Sequence, residues 1–316
     1  MKPEKSDSPE RKHTLTTSTT STANPHEDIL AYIDNYLDPW QFYEILQFKT
    51  DIVIELISFI MKESGKTIPE AVLVFLALVK SRWDGTGDLL EFIKENSEPL
   101  CRAAVREKAQ GNLPGRALPL FDIFAVKMPG QPVSVIELGA SYGLIGRCLL
   151  NPAKIREGKQ AYFPATQQMP RLMETSPVRQ YLGIELSPPT REWVLAWEWM
   201  PERKKRLATF LEEITAAENF RLLKENAFGF AALDEVKAMI THETVIVVLT
   251  SFMLYQLEPA KQERLRREIR EFLKNVNGHW INQTFNPTTM ACFIEFDEER
   301  IINLSDDGSR SWQWLI

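Results

Sequence analysis

Val133-Ser134-Val135-Ile136-Glu137-Leu138-Gly139-Ala140-Ser141-Tyr142-Gly143-Leu144 decides the fold of this chain. Residues 133–137 are short, apolar and β-branched, as a strand covered on both faces must be. Small residues follow at once, and residues 144–150 then read as a helix. Strand, tight turn and helix in that order open a βαβ unit. The theme repeats three times: 181–185 before a helix over 190–217, 220–223 before 231–240, and 244–249 before 259–276. The alternation predicts a doubly wound, mostly parallel sheet with helices on both faces. Residues 280–285, 292–296 and 312–316 read as strands without long helices between them, so an antiparallel edge is expected at the C-terminal end.

Upstream, residues 1–27 are rich in Ser, Thr, Lys and Pro and have almost nothing to bury, which predicts a disordered tail. Residues 28–127 are expected to form an all-helical lobe. Pro39 is placed to open a helix through Trp40, Phe42, Ile45, Leu46 and Phe48, and Pro69 another through Val72, Phe75, Leu76 and Val79. A further helix is expected from Asp88 towards Ala109, with breaks at Gly65 and at 85–87. The α/β domain then takes residues 128–316.

The glycines and the serine after residue 137 let the backbone turn sharply and approach a ligand, with the first amides of the helix facing it. The spacing is Gly139-x-Ser141-x-Gly143, not the G-x-G-x-x-G of dinucleotide sites. Glu137 at the strand end would repel a pyrophosphate and attract the ammonium of an amino-acid-bearing cofactor, which favours S-adenosylmethionine over NAD. Glu185 ends the next strand, where such sheets place an acid to accept hydrogen bonds from ribose hydroxyls. It lies 48 residues after Glu137, against about 20 when a single helix intervenes. Residues 151–180, with Pro152, Pro164, Pro170 and Pro177, therefore read as an insertion, either a lid or a surface excursion.

Further candidates each carry two readings. Asn226, beside Ala227 and Phe228, suits an adenine edge or a cap for the next helix. Trp193 and Trp197 share a helix face, as core packing or as a pocket wall. Ser251, Tyr255 and Gln256 follow the fourth strand, where substrate-facing groups stand; Tyr255 can serve as a weak base, a donor or a half-buried aromatic. The turn there lacks an Asn-Pro-Pro-Tyr pattern, which argues against DNA-base methylation. Arg116 and Asn112 can hold a cofactor carboxylate or shape a loop.

Composition narrows the classes. The chain has 316 residues, 44% hydrophobic and 25% charged, with a net charge of −6. That balance disfavours general nucleic-acid binding, and Arg203-Lys204-Lys205-Arg206 reads as a solvated helix face. The longest apolar run, residues 71–79, is too short to span a bilayer, and no N-terminal secretion signal is visible, so a cytoplasmic protein without membrane association is expected. Three scattered cysteines and four unclustered histidines predict no metal site.

Several stretches together resemble a bacterial family, domain of unknown function 2332, itself similar to class I S-adenosylmethionine-dependent methyltransferases. They are Gly111-Asn112 with Gly115-Arg116-Ala117-Leu118, Ile136 to Leu144, and Gly183-Ile184-Glu185-Leu186-Ser187-Pro188, followed by Trp193-Val194-Leu195-Ala196-Trp197, Pro201-Glu202-Arg203 and Thr250-Ser251-Phe252-Met253-Leu254. The resemblance spans about residues 40–316. It implies a Rossmann-like methyltransferase fold and an S-adenosylmethionine site, and no particular substrate. The family pattern has Asp where Asn226 stands, His where Thr250 stands, and a His-Gly pair near Asp307-Gly308, so its candidate bases are missing here.

The expected function is transfer of a methyl group to a small molecule. Glu137, Gly139, Ser141, Gly143, Glu185, Asn226 and Arg116 are the expected cofactor residues, and Ser251, Tyr255 and Trp193 the expected substrate residues. No catalytic side chain is assigned, because a sulfonium is already electrophilic and the protein mainly aligns the nucleophile. The rival expectation is a non-enzymatic interaction module with a degenerate fold, motivated by Ser141 in a glycine's place and by the absent histidines. A nicotinamide-dependent oxidoreductase is disfavoured by Glu137 and the glycine spacing.

Overall fold

The computed structural model describes residues 25–36, 49–83, 86–107, 114–155, 176–196, 201–214, 218–285, 291–304 and 312–315. The N-terminal helices are α1 (Pro25–Tyr36), α2 (Asp51–Ser64), α3 (Ile68–Arg82), α4 (Leu89–Glu95) and α5 (Ser97–Arg106). They bury Ile29, Val53, Ile57, Val72, Phe75 and Leu100 in a core of their own. Helix α1 starts at Pro25, inside the stretch read as tail; residues 1–24 and the segment 37–48, where Pro39 was to open a helix, lie outside the described residues. Pro69 stands in the first turn of α3 as expected. The Thr67 hydroxyl accepts the Glu70 N–H at 3.5 Å while the Glu70 carboxylate accepts the Thr67 N–H at 3.0 Å, a reciprocal cap. The single helix expected from Asp88 is two. Asp88 caps α4 by accepting the Glu91 N–H at 2.9 Å. The break falls at Asn96, because Pro99 has no N–H to give a continuing helix, and the Asn96 side chain donates to the Phe92 carbonyl at 2.9 Å.

The strands are β1 (Val133–Leu138), β2 (Val178–Ile184), β3 (Phe220–Leu223), β4 (Val245–Ser251), β5 (Gly278–Phe285), β6 (Cys292–Phe296), β7 (Glu299–Leu304) and β8 (Trp312–Trp314). They form one sheet in the order β3-β2-β1-β4-β5-β6-β7-β8, parallel as far as β5 and antiparallel beyond it. This is the expected mostly parallel α/β sheet with its antiparallel end. Strand β1 is wholly buried, and its alternation separates two apolar layers. Val133 and Val135 join the layer covered by α6 (Leu118–Lys127), α7 (Leu144–Leu150) and α9 (Pro201–Glu213). Between α7 and α9 comes α8 (Arg191–Ala196). Ile136 and Leu138 face the layer of α10 (Asp234–Met239) and α11 (Pro259–Leu273).

The structure differs from the expected pattern in three further places. Strand β2 begins at Val178, before the expected start at 181, and ends at Ile184, so Glu185 stands just past the strand. The helix expected over 190–217 is α8 and α9, with Trp197 outside the described residues, as is 156–175 of the insertion. Strand β7 was not foreseen. The turn before it is Asp297-Glu298, both left-handed at φ 50° and 69°, in a hairpin position where Asn-Gly is the usual signal. Here side-chain bonds hold the turn instead: Asp297 accepts the Trp280 N–H at 2.8 Å and pairs with His279 at 2.7 Å. At the far edge Trp312 of β8 donates its indole N–H to buried Asp122 of α6 at 2.8 Å.

Among the described residues no helix is long and apolar enough to cross a membrane, and no three His, Cys, Asp or Glu gather as a metal site.

Candidate functional site

The turn after β1 takes a left-handed conformation at every second residue: φ is 73° at Gly139, 51° at Ser141 and 69° at Gly143. Alternating handedness turns successive N–H groups towards one concave side, which suits an anion. The protein supplies that anion itself. Glu185 accepts the Ser141 N–H at 2.9 Å and, with its other oxygen, the Ser187 N–H at 3.2 Å, so one carboxylate joins the loops after β1 and β2. The glycines answer to packing as well. A Cβ on Gly143 would lie 2.6 Å from the Phe220 ring, and one on Gly146 2.3 Å from the Tyr181 ring. On Gly139 it would lie 2.6 Å from Cγ of Met253, which follows β4.

Beneath the loop lies a stack of side chains. Tyr181 and Phe220 are parallel with centroids 5.2 Å apart, and the Arg147 guanidinium covers Phe220 at 4.3 Å. The Tyr181 hydroxyl donates to Glu137, whose side chain is 2% exposed. Burial pushes the Glu137 carboxyl up to about 8, against the lowering effects of the Tyr181 bond and the Arg116 charge. Glu137 therefore retains its proton through much of the neutral range.

Above the loop, at the carboxyl ends of β1 and β4, is a cleft of about 670 Å³. It stands between β1 and β4, whose onward connections run in opposite directions, to β2 and to β5, the switch point at which open α/β sheets bind ligands. Gly139, Ser141, Glu185 and Asn226 line one half; Arg116, Ser251 and Tyr255 line the other. These seven sequence-derived candidates thus meet in one place. The other three do not line the cleft: Glu137 and Gly143 sit beneath its floor, and Trp193 is buried in the core of the helical lobe, where packing rather than a pocket wall is its role.

The lining side chains already make local bonds. Asn226 accepts the Phe228 N–H at 3.0 Å, closing an Asx turn. Ser251 donates to the Gln283 side chain at 2.7 Å, and the Gln283 amide donates to the Arg116 carbonyl at 2.8 Å. The Arg116 guanidinium lies 4.2 Å over the Phe252 ring. Burial raises the pKa of the Tyr255 phenol and outweighs the lowering by Arg116, so Tyr255 is a donor at neutral pH and not a base. Thr250 is fully buried in a polar relay: Trp280 donates to it at 3.1 Å, it donates to Asn282 at 2.8 Å, and Asn282 donates to Glu295 at 2.6 Å.

Sequence reading did not assign Lys66, Glu70, Phe252, Met253 and Arg264, which also line the cleft, or Gln283, which bonds Ser251 from β5 without lining it. Gln283 reaches Ser251 because the two are register partners across β4 and β5. Nothing in the run 280–285 announces that partnership.

The chain belongs to the family described as an uncharacterized protein conserved in bacteria, domain of unknown function 2332, which it matches over residues 79–291. The match takes in β1 to β5 and the floor of the cleft, and leaves out Lys66 and Glu70. None of the curated proteins compared with the chain matches it.

Proposed function

We propose that the inner half of the cleft binds S-adenosylmethionine and that the protein transfers a methyl group to a small molecule. One observation carries this reading: the loop of alternating handedness after β1 and the acid after β2 line one cleft at the switch point of a parallel sheet. The order β3-β2-β1-β4-β5 follows that of doubly wound nucleotide-binding sheets through its fifth strand. The antiparallel strands beyond β5 depart from that order, and on this reading the fold is a Rossmann-like methyltransferase variant.

The residues fit such a cofactor. Glu185 uses two acceptor positions on the N–H groups of Ser141 and Ser187, and a carboxylate has about four, which leaves capacity for a ribose diol. Ala227 and Phe228 offer an apolar face for an adenine, and Gly139 brings its backbone to the cleft beside Met253. Bound there, S-adenosylmethionine would supply an electrophilic methyl group on a sulfonium. The chain's part is to orient the substrate and exclude water. Tyr255 acts in this scheme as a donor, and no side chain is asked to serve as a strong base.

A second reading, a non-enzymatic module, draws on the internal bonds of Glu185 and Asn226: both cofactor-reading side chains hold their own backbone. Calorimetry of the full chain with S-adenosylmethionine, S-adenosylhomocysteine and NAD decides between them. Binding of the first two without the third is expected. A folded protein that binds none of them is the module.

A further inference from the structure

Away from Glu185 and Asn226, the cleft is walled by Arg116, Ser251 and Tyr255, by Lys66 of the turn between α2 and α3, and by Glu70 in the first turn of α3. We infer that this half receives the carboxylate of a second small molecule, an acid with an apolar aromatic body, with Arg116 as its charge partner and Tyr255 as a further donor. This rests on the reading of the inner half as the cofactor site.

Three observations converge. The Arg116 guanidinium lies 4.2 Å over the Phe252 ring, and a guanidinium's planar fork of N–H donors is matched to a planar carboxylate. The charge of Arg116 is felt by Glu137 under the floor and by Tyr255, which also feels Glu70. Arg116 therefore stands where floor, sheet wall and helical lobe meet. Second, the wall is braced behind Arg116: Ser251 donates to the Gln283 side chain, and the same Gln283 amide donates to the Arg116 carbonyl. The Tyr255 phenol keeps its proton.

Third, the balance of charge is local. The lining holds Lys66, Arg116, Lys261 and Arg264 with Glu70 and Glu185, in a chain whose net charge is −6; Lys261 and Arg264 already pair with Glu258 at 3.5 Å and Glu268 at 2.8 Å, so Lys66 and Arg116 are the cations of this wall. The acids are held by their own neighbours: one Glu70 oxygen accepts the Thr67 N–H and hydroxyl, each at 3.0 Å, and Glu185 accepts Ser141 and Ser187. An anion on this wall meets two cations in a chain that is otherwise net negative. Phe252, Met253 and Leu257 on the same wall accept the apolar remainder of the molecule.

Benzoate, benzylamine and benzyl alcohol share a ring and differ in charge, so they test the inference directly. Their binding to the full chain would be measured by saturation-transfer NMR titration, alone and with saturating S-adenosylhomocysteine. Benzoate is expected to bind at least about tenfold more tightly than the other two. Arg116→Gln should weaken it about tenfold or more, and Tyr255→Phe, at a residue 40% exposed, about threefold with little change in melting temperature. Benzoate and S-adenosylhomocysteine should occupy the protein together. Equal or better binding of benzylamine overturns the inference, as does benzoate affinity unchanged in both variants. Competition between the two ligands also overturns it, because Arg116 would then hold the cofactor's own carboxylate. Failure of S-adenosylhomocysteine to bind, with the benzoate pattern intact, removes the cofactor reading and leaves the acid site standing.

Discussion

The floor under the glycine loop and the mouth above it share a backbone and obey different rules. On the floor, Tyr181, Phe220 and Arg147 stack, Tyr181 holds Glu137 by a hydrogen bond, and Gly143 is bare because a ring occupies the space its Cβ would need. At the mouth, Gly139 and Ser141 line an open cleft, and the carboxylate that organises them keeps acceptor capacity. A glycine in such a run is thus no sign of ligand contact by itself. What it faces decides, and the partners lie far along the chain.

Substituting alanine at the two glycines puts that difference to its strongest test. Both have positive φ and both would set a Cβ 2.6 Å from a neighbour. Gly143→Ala meets the stacked Phe220 ring and should cost about 2–5 kcal/mol, the sum of backbone strain and overpacking. Gly139→Ala meets the flexible Met253 and should cost at least about 1 kcal/mol less. Urea denaturation of both variants measures the gap, and equal costs would erase the distinction between floor and mouth. Gly139→Val adds β-branching and should lose stability as well as ligand affinity.

A smaller effect, with a pH signature, belongs to the floor alone. Glu137 holds its proton up to about 8 when folded, against a usual value of 4.5. Between those values the folded state binds more protons than the unfolded one, so stability falls as pH rises through that window. Glu137→Gln, whose carbonyl can still accept the Tyr181 bond, should flatten this fall in melting temperature. Tyr181→Phe should cost about 1–3 kcal/mol by removing the buried carboxyl's hydroxyl donor. Parallel melting curves for wild type and Glu137→Gln from pH 5 to 8 would show the floor to be hydrated instead.

At the mouth, Glu185→Ala should weaken S-adenosylhomocysteine binding by at least about tenfold, or about 1.4 kcal/mol, with Glu185→Gln less damaging. Lost melting temperature with intact affinity would reduce Glu185 to a tie between loops. The smallest change expected is a gain: Ser141→Gly relieves a left-handed serine and should stabilise the fold by up to about 1 kcal/mol in thermal melts.

The parallel half of the sheet was legible because buried strands advertise themselves as unbroken β-branched runs such as 133–136 and 245–249. Strand β7 was not, since its turn uses Asp297 and Glu298 where a glycine would have signalled it. Seven of the ten candidate residues line the cleft because loops at strand ends are placed by topology, which the alternation of strand and helix reveals. The opposite fates of Glu137 and Glu185 could not be read in advance. They depend on Tyr181, which the register of β2 brings beside β1, and on the strand ending one residue before Glu185.

Gln283 links the Ser251 hydroxyl to the Arg116 carbonyl, two groups that enter the ribosomal exit tunnel long before it does. During synthesis the helical lobe and strands β1 to β4 can collapse first, since their contacts are already present in the nascent chain. The wall carrying Arg116 cannot close until residue 283 has emerged, 167 positions later. The Arg116 end of the cleft is thus completed only after most of its scaffold has formed, and a chain truncated before β5 has a floor without a finished wall.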